Sequence, residues 1–118
     1  GKGDKTMAFD PDLADRMETQ LVALGARPVR KAMFGGIAFM VNGHMSYGTA
    51  REEMHVRVGP DAYEDALAEP QARPMDMTGR VMKGWVTVDA PADLDEVALA
   101  GWAQRTLAFV CTLPPKAS

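Results

Sequence analysis

Residues 29 to 43 read VRKAMFGGIAFMVNG, and the fold turns on how this stretch divides. Gly35-Gly36 separates Val29–Phe34 from Ile37–Val41, two short runs of strand composition. Asn42-Gly43 then supplies the two positive-φ residues that a type I′ hairpin turn requires. Ile37–Val41 is apolar on both faces, which places it inside a sheet. The pattern continues outward. His44–Thr49 follows the turn, Arg51-Glu52-Glu53 makes another, and Met54–Val58 alternates cleanly, with Met54, Val56 and Val58 inward and His55 and Arg57 outward. Four strands on short turns form an antiparallel meander.

The flanks are helical. Asp10-Pro11 offers a capping carboxylate followed by proline at the first helical position, where its missing N–H costs nothing. Leu13, Met17, Leu21 and Leu24 then recur at helical spacing, and Gly25 is placed to end the helix. Gly59-Pro60-Asp61 opens a second helix carrying Tyr63, Ala66 and Leu67, with Pro70 beyond it. Ala72–Asp76 is extended, Thr78-Gly79 reads as a turn, and Val81–Val88 is a strand at or near an edge, with Gly84 a bulge site. Pro91 and Asp93 introduce the longest helix, about 94 to 112, with Leu94, Val97, Ala98, Trp102, Phe109, Val110 and Leu113 as its apolar side. The order α-β-β-β-β-α-β(β)-α predicts an α+β two-layer sandwich, five to six antiparallel strands with helices packed on one face.

The chain has 118 residues, 47% of them hydrophobic, with a formal charge of −3 and one cysteine. Area scaling buries about two thirds of the unfolded surface of such a chain, enough for one core without disulfides or metal. Residues 7 to 115 read as a single domain, 1 to 6 as an expression scar or disordered start, and 116 to 118 as a tail. The longest apolar run, Ile37–Val41, is far below the ~20 residues of a membrane span, and no signal-peptide core opens the chain. A cytoplasmic protein with no membrane association is expected.

The charges sort by segment. Residues 26 to 59 carry +3, 60 to 71 carry −4, 72 to 88 carry +2 and 89 to 104 carry −4. The strand segments are basic and the second and third helical segments acidic, so one side of the sheet is expected to be basic.

No catalytic constellation emerges, and no enzyme activity, cofactor or metal is expected. His44 and His55 fall about four residues apart along paired strands, ~13 Å, too far to share a metal ion. Cys111, among Phe109, Val110 and Leu113, reads as a small buried inert thiol. Ser46 and Thr49 lack a suitably spaced base, and Gly35-Gly36 fits neither phosphate-loop spacing. Glu52-Glu53 and Asp95-Glu96 belong to a turn and a helix start. Most of the nine methionines are expected in the core.

One arrangement suits binding. His55 and Arg57 share the outward face of their strand, Lys83, Trp85 and Thr87 share a face of the later one, and Arg30, Lys31 and Phe34 are near in sequence order. If these faces coincide they make a basic patch with an exposed aromatic, fit for an acidic protein surface, an anionic ligand or nucleic acid. Trp85 exposed beside Lys83 and Arg57 supports the patch, and Trp85 under a helix removes it.

Residues 30 to 43, together with MHVRVGP at 54 to 60, ARPMDMTG at 72 to 79, MKGWV at 82 to 86 and the Trp102 helix, resemble the N-terminal domain of the TfoX/Sxy family, bacterial regulators of competence genes. The resemblance spans about residues 8 to 115. It implies a compact two-layer domain with a transcriptional rather than enzymatic role, and family members are thought to act with the cyclic-AMP receptor protein. Lys31, Met33, Phe34, Gly35, Gly36, Gly43, Arg57, Arg73 and Trp85 occupy family-pattern positions, with Gly35, Gly36, Asn42 and Gly43 as structural turn residues. Two-domain regulators carry a second domain for which the chain leaves no room, so a stand-alone domain is expected. The expected partner is a protein of the transcription machinery, with a homodimer also compatible. Weak direct nucleic-acid binding through Arg30, Lys31, Arg57, Lys83 and Trp85, or sensing of a small anionic ligand, is the alternative.

Overall fold

The computed structural model describes residues 9–33, 35–77 and 79–116. The expected scar at 1 to 6, Phe34, Thr78 of the expected turn and the last two tail residues lie outside them. The order is α1 (Pro11–Ala23), β1 (Val29–Met33), β2 (Gly36–Val41), β3 (His44–Ala50), β4 (Glu53–Arg57), α2 (Tyr63–Leu67), β5 (Ala72–Met77), β6 (Arg80–Asp89), a 3-10 turn at Pro91–Asp93 and α3 (Glu96–Val110). This is the expected α+β arrangement.

The two long helices have a local reason to begin where they do. The Asp10 carboxylate accepts from the N–H groups of Asp12 and Leu13, satisfying two donors that have no partner within the helix. At the other end Gly25, at φ +92°, lets the Ala26 and Gly25 N–H groups reach the carbonyls of Leu21 and Val22, a closure that needs a left-handed residue. Leu13, Met17 and Leu21 are buried as the spacing predicts, whereas Leu24, past the helix end, is exposed. The longest helix departs further from expectation. Asp95, not Asp93, caps it by accepting from the Ala98 N–H. Its buried side is Leu99, Trp102, Ala103, Thr106 and Val110, and Val97 is 82% exposed.

The six strands form one sheet in the order β1-β2-β3-β4-β6-β5, every neighbouring pair antiparallel. Asn42 and Gly43 at φ +54° and +81° make the β2–β3 turn. Residues in register on adjacent strands share a face, so Phe39, Tyr47, Val56 and Val86 form one continuous row across four strands. All four are fully buried, and with Met54, Val58 and Val88 they meet Leu13, Met17, Leu21, Leu99, Trp102 and Val110 in a single core. α1 and α3 pack on each other, α3 on β3 and β4, and α2 on β5 and β6. The helices therefore cover one face of the sheet.

Two buried hydroxyls tie that layer down. Tyr47 donates to the Met17 carbonyl at 2.6 Å, and Thr106 donates to the Ser46 carbonyl at 2.9 Å. Ser46 is the extra residue of a bulge between Phe39/Met40 and Tyr47/Met45, and its own hydroxyl donates to the Phe39 carbonyl at 2.7 Å. Among the described residues no buried side-chain nitrogen or oxygen lacks a partner.

Tyr47→Phe is expected to lower the unfolding free energy by about 1 kcal/mol, against about 3–5 kcal/mol for Phe39→Ala, which empties the centre of the row. Denaturant titration measures both. Gly101 in α3 gives the opposite sign. A Cβ there meets nothing within 4 Å, so Gly101→Ala is expected to raise stability by about 0.5–1 kcal/mol.

Candidate functional site

The face without helices is built by the same register one residue out of phase. Lys31, Ala38, Gly48, His55, Thr87 and Arg73 lie in a row across all six strands. Beside it run Val29, Met40 and Met45, continued by the paired Arg57 and Trp85. Ala38 and Thr87 are only 2% and 1% exposed, because they are small side chains between larger neighbours.

Trp85 stands half-buried on this face, with the Arg57 guanidinium 6.0 Å from its ring centroid and 5.3 Å from that of Phe109. Arg57 also donates to the Met45 carbonyl at 3.4 Å. Guanidinium against two aromatic faces is a favourable, orienting contact, so Arg57 is a fixed cation. Lys31 and Lys83 are exposed. Sequence reasoning thus brings His55, Arg57, Trp85 and Lys31 onto one face.

Arg30 does not join them. It pairs with Phe39 on the helix side, lies 5.4 Å from that ring, and donates to Asp15 and Glu18 of α1. Those carboxylates hold its pKa above the usual value. Arg73 shares the uncovered face but is neutralised there, with its Nε and Nη2 on Asp89 and Nη2 also on Glu53 at 2.8 Å. The same contact holds the Asp89 carboxyl below its ordinary range. The expected basic sheet side is corrected accordingly: carboxylates from α1, β4 and β6 intercept two of its cations. Phe34 lies outside the described residues.

His55 is buried enough on this face for its titration to shift. Its Nδ1 is 2.9 Å from the Thr87 hydroxyl and its Nε2 3.7 Å from Glu53. Burial lowers its pKa, Glu53 works against that shift and Arg73 adds to it. Hydroxyl, imidazole and carboxylate in sequence suggest nucleophilic catalysis, yet Thr87 is sealed, and the cavity beside His55, lined by Met33, Ala38, Met45, Gly48 and Trp85, holds about 10 Å³. That is room for about one water. The trio reads as a packed hydrogen-bond network.

His44 is elsewhere, its Nε2 2.6 Å from the Pro114 carbonyl beside the hairpin tip, where the Lys116 N–H also reaches the Asn42 carbonyl. No cluster of three or more metal-ligating side chains occurs among the described residues. Cys111 is exposed, not buried as expected, because it lies just past the last residue of α3.

The methionines divide. Met17, Met54 and Met75 are fully buried, whereas Met33, Met40 and Met45 are half-buried on or beside the uncovered face. Parity relative to Phe39 could have placed Met40, but Met45, two residues from Tyr47, reaches the open face only through the bulge at Ser46, which no strand alternation announces. The uncovered face thus carries half-buried methionine and tryptophan around buried alanine and glycine, with Arg57 held on it and Lys31 and Arg73 on its two edge strands.

The family profile of the TfoX N-terminal domain matches residues 19–110. The chain belongs to this family. The match takes in every strand and α3, and so the whole uncovered face. Neither a curated protein nor a solved structure matches the chain. No helix among the described residues of this TfoX N-terminal domain is long and apolar enough to cross a membrane.

A histidine whose folded pKa is depressed stabilises the fold above the ordinary value of 6.5 and ceases to do so as pH falls through the folded value, because the unfolded chain takes up the proton first. Unfolding free energy measured against pH is expected to decline below 6.5 in the wild type and to decline less in His55→Gln. Parallel profiles for the two proteins are the contrary result.

Proposed function

We propose that this TfoX N-terminal domain protein is a non-enzymatic, transcription-linked regulator of competence type that acts by docking a protein partner on its uncovered sheet face. One observation carries the reading: an uncovered sheet face bearing Met33, Met40, Met45 and Trp85 with the Arg57 cation held in place beside them. Methionines repack around different partners, tryptophan and arginine are the residue types most enriched where binding energy concentrates, and a flat face without a cavity of ligand size suits a protein better than a small molecule. Family membership supports the transcriptional part of the reading.

The nucleic-acid alternative is less well supplied. Of its four cations Arg30 is on the other face among carboxylates, and Arg57 lies against two rings. Lys31 and Lys83 give too small a counterion release for strong binding.

Immobilised protein is to be exposed to extract of the source cells and the retained proteins identified by mass spectrometry. A component of the transcription machinery is expected on wild type, lost with Trp85→Ala and retained by Glu64→Gln on α2. Recovery of no such component, or equal recovery by Trp85→Ala, refutes the proposal. A salt-dependent gel shift with duplex DNA that Lys83→Ala abolishes favours the alternative.

A further inference from the structure

The outward side of α3 holds a feature that the internal packing does not explain. Gly101 sits in the interior of a 15-residue helix, where glycine is destabilising relative to alanine. Glycine is usually kept in such a place by crowding, yet a Cβ on Gly101 meets nothing within 4 Å. Beside Gly101 lies an open hollow of about 360 Å³ between α3 and residues 69–71, lined by Leu94, Ala98, Gly101 and Trp102 on one side and Glu69, Pro70 and Gln71 on the other. One turn earlier stands Val97, at 82% the most exposed large hydrophobic residue on the described surface. Residues four apart lie side by side on a helix surface, so this face presents a projecting apolar side chain next to the hollow at Gly101.

We propose that α3 is a two-fold interface between copies of this chain, with Val97 of each seated over Gly101 of the other. The occupant follows from self-complementarity. An isologous contact requires each surface to carry both halves of the match, and in an antiparallel crossing centred between residues 97 and 101 every Val97 faces a vacancy. The charges agree with the same register. Arg105 lies one turn beyond Gly101 and Asp93 lies in the 3-10 turn that precedes the helix, so a crossing centred on residue 99 brings Arg105 of one copy toward Asp93 of the other. Arg105 is already oriented for this by Glu69 at 2.7 Å and by the Trp102 ring at 5.4 Å. Small residues at the crossing point allow close approach of the helix axes. This surface lies on the helix layer, away from the uncovered sheet face, so it stands or falls independently of the partner proposed there.

Sedimentation equilibrium of the purified protein over micromolar to millimolar concentration tests it. The wild type is expected to show a reversible monomer–dimer equilibrium. Val97→Asp and Gly101→Leu, the second filling the hollow, are each expected to weaken it by about tenfold or more, the scale of one buried valine side chain. Melting of the same samples at low concentration separates this from misfolding, since Gly101→Leu adds helix propensity and its monomer is expected to melt no lower than the wild type. A wild type that remains monomeric throughout, or a dimer that neither substitution weakens, overturns the proposal.

Discussion

The hydroxyl of Tyr47 is the contact on which the layering of this domain depends. Its ring is fully buried at the middle of β3, edge-on to Phe39 at 6.2 Å, and a buried phenol must find a partner or lose the hydrogen bonds that water gave it. The partner is the Met17 carbonyl in the centre of α1. Burial raises the pKa of the phenol far above its ordinary value, so it serves as a donor at any ordinary pH. The apolar row selects the face that α1 covers, and this one hydroxyl marks where along its length the helix sits on it.

The neighbouring residue does the same for α3. The bulge at Ser46 turns its carbonyl toward Thr106, which is buried on α3 and would otherwise be an unpaired hydroxyl in an apolar layer. Both long helices are thus fastened to consecutive residues of one central strand. The electrostatic consequences follow from position. With α1 fixed on that face, Asp15 and Glu18 come within reach of Arg30, whose position on β1 already directs it to the helix side. These ion pairs are exposed enough to add little stability, and they neutralise a cation that strand register has already taken from the other face.

Much of the fold was legible because strand alternation and turn chemistry are local. Asn42-Gly43 and the Met54–Val58 alternation required no tertiary knowledge, and His55 pairs with Gly48, which keeps it the expected four residues along the strand from His44. The apolar side of α3 was misread where the reading started the helix at Leu94. The Asp95 cap delays it to Glu96, and Val97, taken for core, faces outward. The candidate site was legible in part. Alternation puts His55 with Arg57, and Trp85 with Thr87, but it assigns parity and not partners. No local rule connects Arg73 with Asp89 and Glu53, sixteen and twenty residues away, or Arg30 with α1. The charge of a strand segment therefore did not translate into the charge of a sheet face.

The two faces of the sheet differ in kind as well as in cover. The helix side is built of valine, phenylalanine and tyrosine, shapes that fix a single packing, while the open side substitutes methionine, alanine and glycine, which fix very little. Arg57 joins these two regimes. Its guanidinium lies between Trp85 of the open face and Phe109 of α3, and Gly59, at φ +82°, leaves the space into which the Phe109 ring fits. A partner that moves Trp85 must therefore move or unload the same cation that contacts the C-terminal turns of α3. The open face is adaptable at its methionines and coupled to the helix layer at its arginine, and that combination distinguishes it from an ordinary solvated sheet surface.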